Sequence, residues 1–179
     1  MNSALQVADA LLYFSNRTYG ITLTNLALNK LIYYAQGRHL VKTGNTLFDE
    51  PILAWRYGPV IQSVYYSFRA YEDHGIPAPD ALDCGLSSEE LDSVIEVLLT
   101  FADCQFDGKM LRDITHAPNT PWSRLYVEGQ NVPISNELLK AYFASNEPFV
   151  TIKDVLSRIP RAETKRTANG VWELQIEYD

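Results

Sequence analysis

The chain has 179 residues, of which 46% are hydrophobic, and its formal net charge is −7. This length suits one globular domain with at most a short appendage, and the composition allows a sizeable core. No apolar run approaches the ~18–20 residues of a membrane-spanning helix, and the N-terminus lacks the pattern of a signal peptide. We therefore expect a cytoplasmic protein without a membrane partner.

Acidic residues are concentrated in the middle of the chain. Residues 70–108 contain ten acids and no Lys or Arg, whereas residues 1–69 contain six bases and three acids. Nucleic-acid binding normally requires a basic patch, because neutralisation of phosphates supplies much of the affinity, so this charge argues against nucleic acid as a partner. A protein partner with a basic surface fits the acidic segment. A solvated face that keeps the chain soluble explains it equally well.

The first two predicted elements are helices. Ser3 begins a capping-box pattern, and the apolar spacing after it predicts a helix that ends near Asn16. Thr22 or Thr24 caps a second helix that runs to about Thr43. Apolar residues cover most sides of this second helix, so we expect neighbouring elements to bury it on most sides.

A short β segment is predicted next. Gly44 supplies the left-handed conformation that commonly ends a helix. Residues 52–57 are rich in aromatic and branched side chains and favour a strand. Gly58 breaks this strand, and Pro59 suits the first position of a new helix because its missing N–H needs no partner there. The apolar stripe expected for that helix consists of Val60, Ile61, Val64, Tyr65 and Phe68.

Shorter helices are predicted in the second half of the chain. Residues 73–87 contain two prolines and two glycines, which is typical of a loop. Capping residues followed by apolar helical spacing mark the later helix starts, and the first of these helices is expected to end near Ala102. The last is expected to end at Pro160. These capping residues are Ser87, Asp107, Thr120, Ser135 and Thr151.

The C-terminal residues predict a β-hairpin. Asn169 and Gly170 form a favoured hairpin turn, and apolar residues alternate with polar ones after it. The apolar face of this hairpin needs a partner, which is either the domain itself or another chain. The sequence thus predicts a mainly α, compact multi-helix domain over residues 1–146. A C-terminal extension, made of a short helix and the hairpin, is predicted over residues 147–179.

No residue pattern in the chain is typical of a catalytic, cofactor or metal site. His39, His74 and His116 are widely separated, and phosphate loops, metalloprotease helices and nucleophile elbows are absent from the sequence. Cys84 and Cys104 lack a zinc-type spacing, which favours reduced thiols without a role. We therefore predict no catalytic residue, no cofactor and no metal.

Four residues nevertheless form an alternative acid–base hypothesis. Asp49 and Glu50 are adjacent carboxylates, and they would support proton transfer if the fold brought them to His39 and His116. Two acids before a proline more often orient a loop. A histidine on an apolar helical face is more often a hydrogen-bonded core residue. The structural interpretation is therefore favoured for all four.

Aromatic residues flank Arg56 in the predicted β segment. Tyrosine and tryptophan serve both cores and interfaces, but an arginine between Trp55 and Tyr57 is poorly suited to a core. We therefore predict that this turn contacts a partner. The full set of predicted partner-binding residues is Asp49, Glu50, Trp55, Arg56, Tyr57, His116, Trp122 and Trp172.

Two blocks of the sequence resemble the signatures of a known family. The first is LNKLIYYAQGRHLVKTGNTLFDEPILAWRYGPVIQSVY and the second is LRDITHAPNTPWSRLY. Both are similar, in the same order, to the Panacea, or SocA-like, antitoxin domain, and together they place residues 2–146 in that domain. The chain departs from the family pattern at Asn29, at Arg38 and at residues 118–120, where relatives often have an acidic residue.

The resemblance implies a bacterial, archaeal or phage-encoded antitoxin that neutralises a toxin encoded beside it, generally by direct binding. In the SocA branch the domain instead acts as an adaptor that delivers a toxin to the ClpXP protease. The family has no established catalytic residues, so an enzyme that reverses a toxin's modification is a weaker hypothesis. DNA binding is weaker still, since no basic recognition helix is evident. The sequence leaves homo-oligomerisation open, and partner choice is expected from residues 70–108 and 147–179.

Overall fold

The computed structural model describes residues 2–158 and, for the backbone alone, the strand segments 162–166 and 172–176. The chain divides into two compact units, Met1–Phe149 and Val150–Asp179. This division lies close to the boundary that the sequence predicts between residues 146 and 147, which stays a prediction about domains. In the described part of the chain, no helix is both long enough and apolar enough to cross a membrane.

Helices make up most of the first unit, and the mainly α fold predicted from the sequence is confirmed. The predicted caps form as well: the side chains of Ser87, Asp107, Thr120 and Ser135 each accept a hydrogen bond from a backbone N–H in the first turn. The helices described in this unit are α1 Ala4–Tyr19, α2 Asn25–Thr43, α3 Gln62–Phe68, α4 Ser88–Phe101, α5 Gly108–His116, α6 Pro121–Leu125 and α7 Asn136–Ser145.

Helix α2 is the centre of the first unit. Fifteen of its 19 residues are buried, which confirms the burial on most sides expected from its apolar pattern. Helices α1, α4, α5 and α7 all pack against it. Thr24 caps its start, and Gly44 ends it with a φ of 83°. Helix α1 extends beyond the predicted end at Asn16, because the left-handed turn that stops it lies at Gly20, with a φ of 69°.

A three-stranded antiparallel sheet packs beside α2. Its strands are β1 Ile52–Trp55, β2 Gly58–Ile61 and β3 Val132–Ile134, in the order β2-β1-β3. Ile52 of β1 pairs with Ile61 on one side and with Ile134 on the other. The predicted β segment is thus confirmed, although strand β1 ends two residues early because Arg56 and Tyr57 form the turn into β2.

The predicted helix start at Pro59 is wrong. Pro59 pairs with Ala54 inside strand β2, and helix α3 begins only at Gln62, so Val60 and Ile61 belong to the strand. Strand β2 lies at the edge of the sheet, where a proline is tolerated because an edge strand has unpaired N–H positions. Pairing with β1 therefore overrides the local preference of proline for a helix start.

The second unit contains a short helix and a β-hairpin. Helix α8, Ile152–Ser157, begins at the predicted cap Thr151, whose side chain accepts a hydrogen bond from the N–H of Asp154. Strands β4 Ala162–Arg166 and β5 Trp172–Ile176 pair in antiparallel fashion, as the sequence predicts. The predicted turn at Asn169 and Gly170 and the predicted helix end at Pro160 lie outside the described residues.

Candidate partner-binding groove

A groove of about 800 Å³ lies beside the turn between β1 and β2. Its walls come from the start of α2, the β1–β2 turn, α3, α5 and the segment that follows α6. Arg56 and Tyr57 are both exposed at its mouth, and 57% of the Tyr57 surface is accessible. The aromatic lining residues are Trp55, Tyr57, Tyr65 and Tyr126, and the charged ones are Lys30, Arg56, Arg69, Glu72, Lys109, Arg112 and Glu128.

The charge of the groove is opposite to that of the chain. Five of the 15 Lys and Arg residues line it, against two of the 22 Asp and Glu residues. Among the described residues, Arg56, Arg69 and Lys109 form no ion pair. The Arg56 guanidinium lies 5.5 Å from the centre of the Tyr57 ring, and that of Arg69 lies 5.5 Å from the Tyr66 ring. The groove is therefore a positively charged, aromatic surface on an acidic protein.

Lys30 is fully buried and also contributes to the lining. Its Nζ donates a hydrogen bond of 2.9 Å to the backbone carbonyl of Pro59, and no carboxylate within the described residues pairs with it. Burial, helped by the positive charge of Arg112, lowers the pKa of this amine to about 7. A lysine that exchanges between charged and neutral forms near neutral pH is thus held beside the groove.

Gly58 makes room for the lysine. Its φ is +100°, which favours glycine, and an added Cβ would lie 2.6 Å from Cε of Lys30 and 2.9 Å from Oγ1 of Thr115. Lys30 is absent from the site residues predicted from the sequence. The sequence feature that indicates a buried lysine here is its position in the middle of a helix whose other residues are apolar on most sides.

An aromatic stack of His116, Trp122 and Tyr126 packs against the β1–β2 turn. Nε1 of Trp122 donates a hydrogen bond of 2.7 Å to the carbonyl of Trp55. The His116 ring is stacked on Trp122 with 3.6 Å between centroids, and Tyr126 is stacked on Trp122 at 4.7 Å. Burial, together with the charges of Lys30 and Arg112, lowers the pKa of His116. The structure thus places Trp122 and His116 behind the groove, where they fix the position of the turn.

The acidic pair predicted for partner binding lies apart from the groove lining. Both carboxylate oxygens of Glu50 accept a hydrogen bond of 3.0 Å from the backbone N–H of Ala4, at the start of α1. Asp49 is exposed. Trp172 belongs to strand β5, and its side chain lies outside the description. A role of Asp49, Glu50 and Trp172 in toxin contact stays a prediction.

The four residues of the acid–base hypothesis have separate surroundings. Nδ1 of His39 lies 3.0 Å from Oγ of Ser93 on α4, and burial lowers the pKa of His39. Glu50 anchors the start of α1, whereas His116 stacks on α6. In the part of the chain that the structure describes, no three His, Cys, Asp or Glu side chains are arranged to hold a metal ion.

The comparisons with known proteins show the family to which the chain belongs. The family model for the SocA-like antitoxin with a Panacea domain matches residues 28–123, which is just over half of the chain. The chain belongs to this SocA-like, Panacea-domain family, and the resemblance of its two signature blocks is confirmed.

A curated relative supports the same family. The chain is 35% identical over 114 residues to antitoxin SocA of Caulobacter vibrioides (strain NA1000 / CB15N). The aligned part covers 57% of this chain and 59% of that protein, so the chain spans about three fifths of its relative's length. No solved structure matches the chain.

Proposed function

We propose that this chain neutralises a cognate toxin in the cytoplasm by direct protein–protein binding, and that the groove beside the β1–β2 turn contacts the toxin. The observation that supports this most is the exposed Arg56 and Tyr57 pair, which has no ion-pair partner in the described residues and stands at the mouth of a large groove. Tyrosine, tryptophan and arginine are the residues that most often dominate the binding energy of protein interfaces.

The acidic segment 70–108 is the second surface in this proposal. Seven of its ten acids are exposed, and these are open to a basic surface of the toxin. Glu90 and Asp92 are half-buried, and Glu96 is buried and pairs with Arg38 at 2.7 Å inside the first unit. Attraction between exposed charges of opposite sign accelerates association and helps to select the partner.

The C-terminal unit is expected to contribute to neutralisation. We expect the full chain to restore growth when it is co-expressed with the product of the adjacent open reading frame, and to co-purify with that product. A chain that ends at Phe149 keeps the core of the first unit, because Phe149 is part of that core. This truncated chain is expected to lose most of the rescue.

The truncation needs a folding control. Circular dichroism and a cooperative thermal transition of the truncated chain would show that the first unit is intact. Full rescue by the truncated chain would contradict a role of the tail and leave the groove as the main contact. Failure of the full chain both to rescue growth and to bind the adjacent product would contradict the proposed function itself.

A further inference from the structure

We propose that the groove receives an acidic segment of the toxin, and that carboxylates of this segment pair with the exposed cations Arg56, Arg69 and Lys109. The inference rests on the proposed function, since it names the part of the toxin that the groove takes. The toxin would then contact two surfaces of opposite charge. A basic part of the toxin would face the exposed acids of residues 70–108, and an acidic part would bind in the groove.

The distribution of charge supports an anionic occupant. A third of all Lys and Arg residues line the groove, whereas only two of 22 acids do. Three of these bases, Arg56, Arg69 and Lys109, are exposed and form no ion pair within the described residues. Cations that are not neutralised by their own chain, and that share one concave surface, attract an anionic group of a partner.

The position of Lys30 supports a carboxylate in particular. A lysine ammonium has three donors, and the amine of Lys30 makes one hydrogen bond, to the carbonyl of Pro59. A buried charge is costly unless an opposite charge and further hydrogen bonds compensate it. A carboxylate held in the groove would supply the opposite charge across the lining. A Cβ at Gly58 would lie 2.6 Å from Cε and 3.0 Å from Nζ of Lys30, so the missing side chain lets the lysine pack tightly behind the groove lining.

The lining also favours a peptide over a nucleic acid. Tyr57, Tyr65 and Tyr126 offer apolar rings for the side chains that flank the carboxylate. The groove holds about 800 Å³, which suits a short segment. The chain around it has a net charge of −7, and this charge would repel a long polyanion while still admitting one local acidic segment.

The test measures binding of the purified full chain to the purified product of the adjacent open reading frame by isothermal titration calorimetry. We expect Arg69→Glu and Arg56→Glu each to raise the dissociation constant by about tenfold or more. The matched control is Arg124→Glu, which makes the same charge change at an exposed arginine outside the groove lining. The control is expected to bind within about twofold of the unmodified chain.

A charge exchange then identifies the occupant. Each Asp and Glu of the toxin is replaced by Lys in turn, and one replacement is expected to restore binding to Arg56→Glu and to weaken binding to Arg124→Glu, which keeps Arg56. Thermal transitions of all variants verify folding.

The outcomes separate the two proposals. If the unmodified chain binds and both groove variants bind equally well, the groove inference is overturned and the proposed function stands. If no replacement of a toxin Asp or Glu restores binding to Arg56→Glu, the inference is also overturned. If the unmodified chain does not bind the adjacent product at all, the proposed function fails and the inference fails with it.

Discussion

Replacing Lys30 by methionine is expected to raise the free energy of unfolding at pH 7 by about 2 kcal/mol. Burial lowers the pKa of the Lys30 amine from 10.5 to about 7, and this difference costs the folded state roughly 4 kcal/mol at pH 7. Methionine has nearly the same length and carries no charge. The carbonyl of Pro59 loses its donor, which offsets the gain by about 1–3 kcal/mol.

The stability gained by Lys30→Met is expected to decrease as the pH rises. Because the pKa of Lys30 is lower in the folded state, the unfolded chain binds more protons between about pH 7 and 10.5, so the stability of the unmodified chain rises across this range. The advantage of Lys30→Met is therefore largest at and below about pH 7 and shrinks as the pH rises towards 10.5.

Urea denaturation of both proteins at about pH 6 and about pH 9 measures this effect. Lys109→Met is the control, since Lys109 is exposed and its replacement is expected to change stability by less than about 0.5 kcal/mol. A Lys30→Met variant that is less stable than the unmodified chain at both pH values would contradict the claim that the buried charge of Lys30 destabilises the fold.

Glu96→Gln is expected to lower the free energy of unfolding by about 3 kcal/mol. Glu96 of α4 pairs with Arg38 of α2 at 2.7 Å, and the two side chains are only 5% and 8% exposed. The variant leaves the guanidinium of Arg38 buried with a weaker partner. The remaining carboxylate, that of Glu147, is 44% exposed, so it compensates the charge incompletely.

Asp92→Asn provides the matched control on the same helix. Asp92 pairs with Lys42 at 3.3 Å, but its side chain is 46% exposed, so its loss is expected to cost less than about 1 kcal/mol. Denaturant unfolding compares the two variants. Equal losses of unfolding free energy for Glu96→Gln and Asp92→Asn would contradict the claim that burial makes the Arg38–Glu96 pair the stronger one.

Helix starts were predictable because their signals are local. The hydroxyl of Ser87 accepts a hydrogen bond from the N–H of Glu90 only three residues away, so the pattern in the sequence contains the whole interaction. The burial of α2 was predictable for a related reason. Its apolar residues cover most of its circumference, and such a helix has no face that favours water.

The sheet could not be predicted in full because its pairing is not local. Pro59 meets a local rule for a helix start, yet its pairing with Ala54 places it in a strand. Strand β3 has three residues, one of them Pro133, and its pairing with β1 joins segments about 80 residues apart, so no short-range pattern marks it. The interior position of Lys30 likewise depends on which elements surround α2.

The candidate site was predictable in part. The turn that contains Trp55, Arg56 and Tyr57 was identified from the mismatch of an arginine between two aromatic residues, and the structure places all three on the groove. Arg69, which directly follows α3, and Lys109 of α5 come from segments that meet only in the folded chain. The concentration of positive charge beside an acidic segment was therefore not visible in the order of residues.

Direct neutralisation is tested best by co-expressing this chain with the product of the adjacent open reading frame in cells with and without the ClpXP protease. We predict the same rescue of growth in both strains, with the adjacent product accumulating in a complex that co-purifies with the full chain. Rescue that disappears without the protease, while the adjacent product persists unbound and growth stops, would contradict neutralisation by direct binding and would support delivery to the protease.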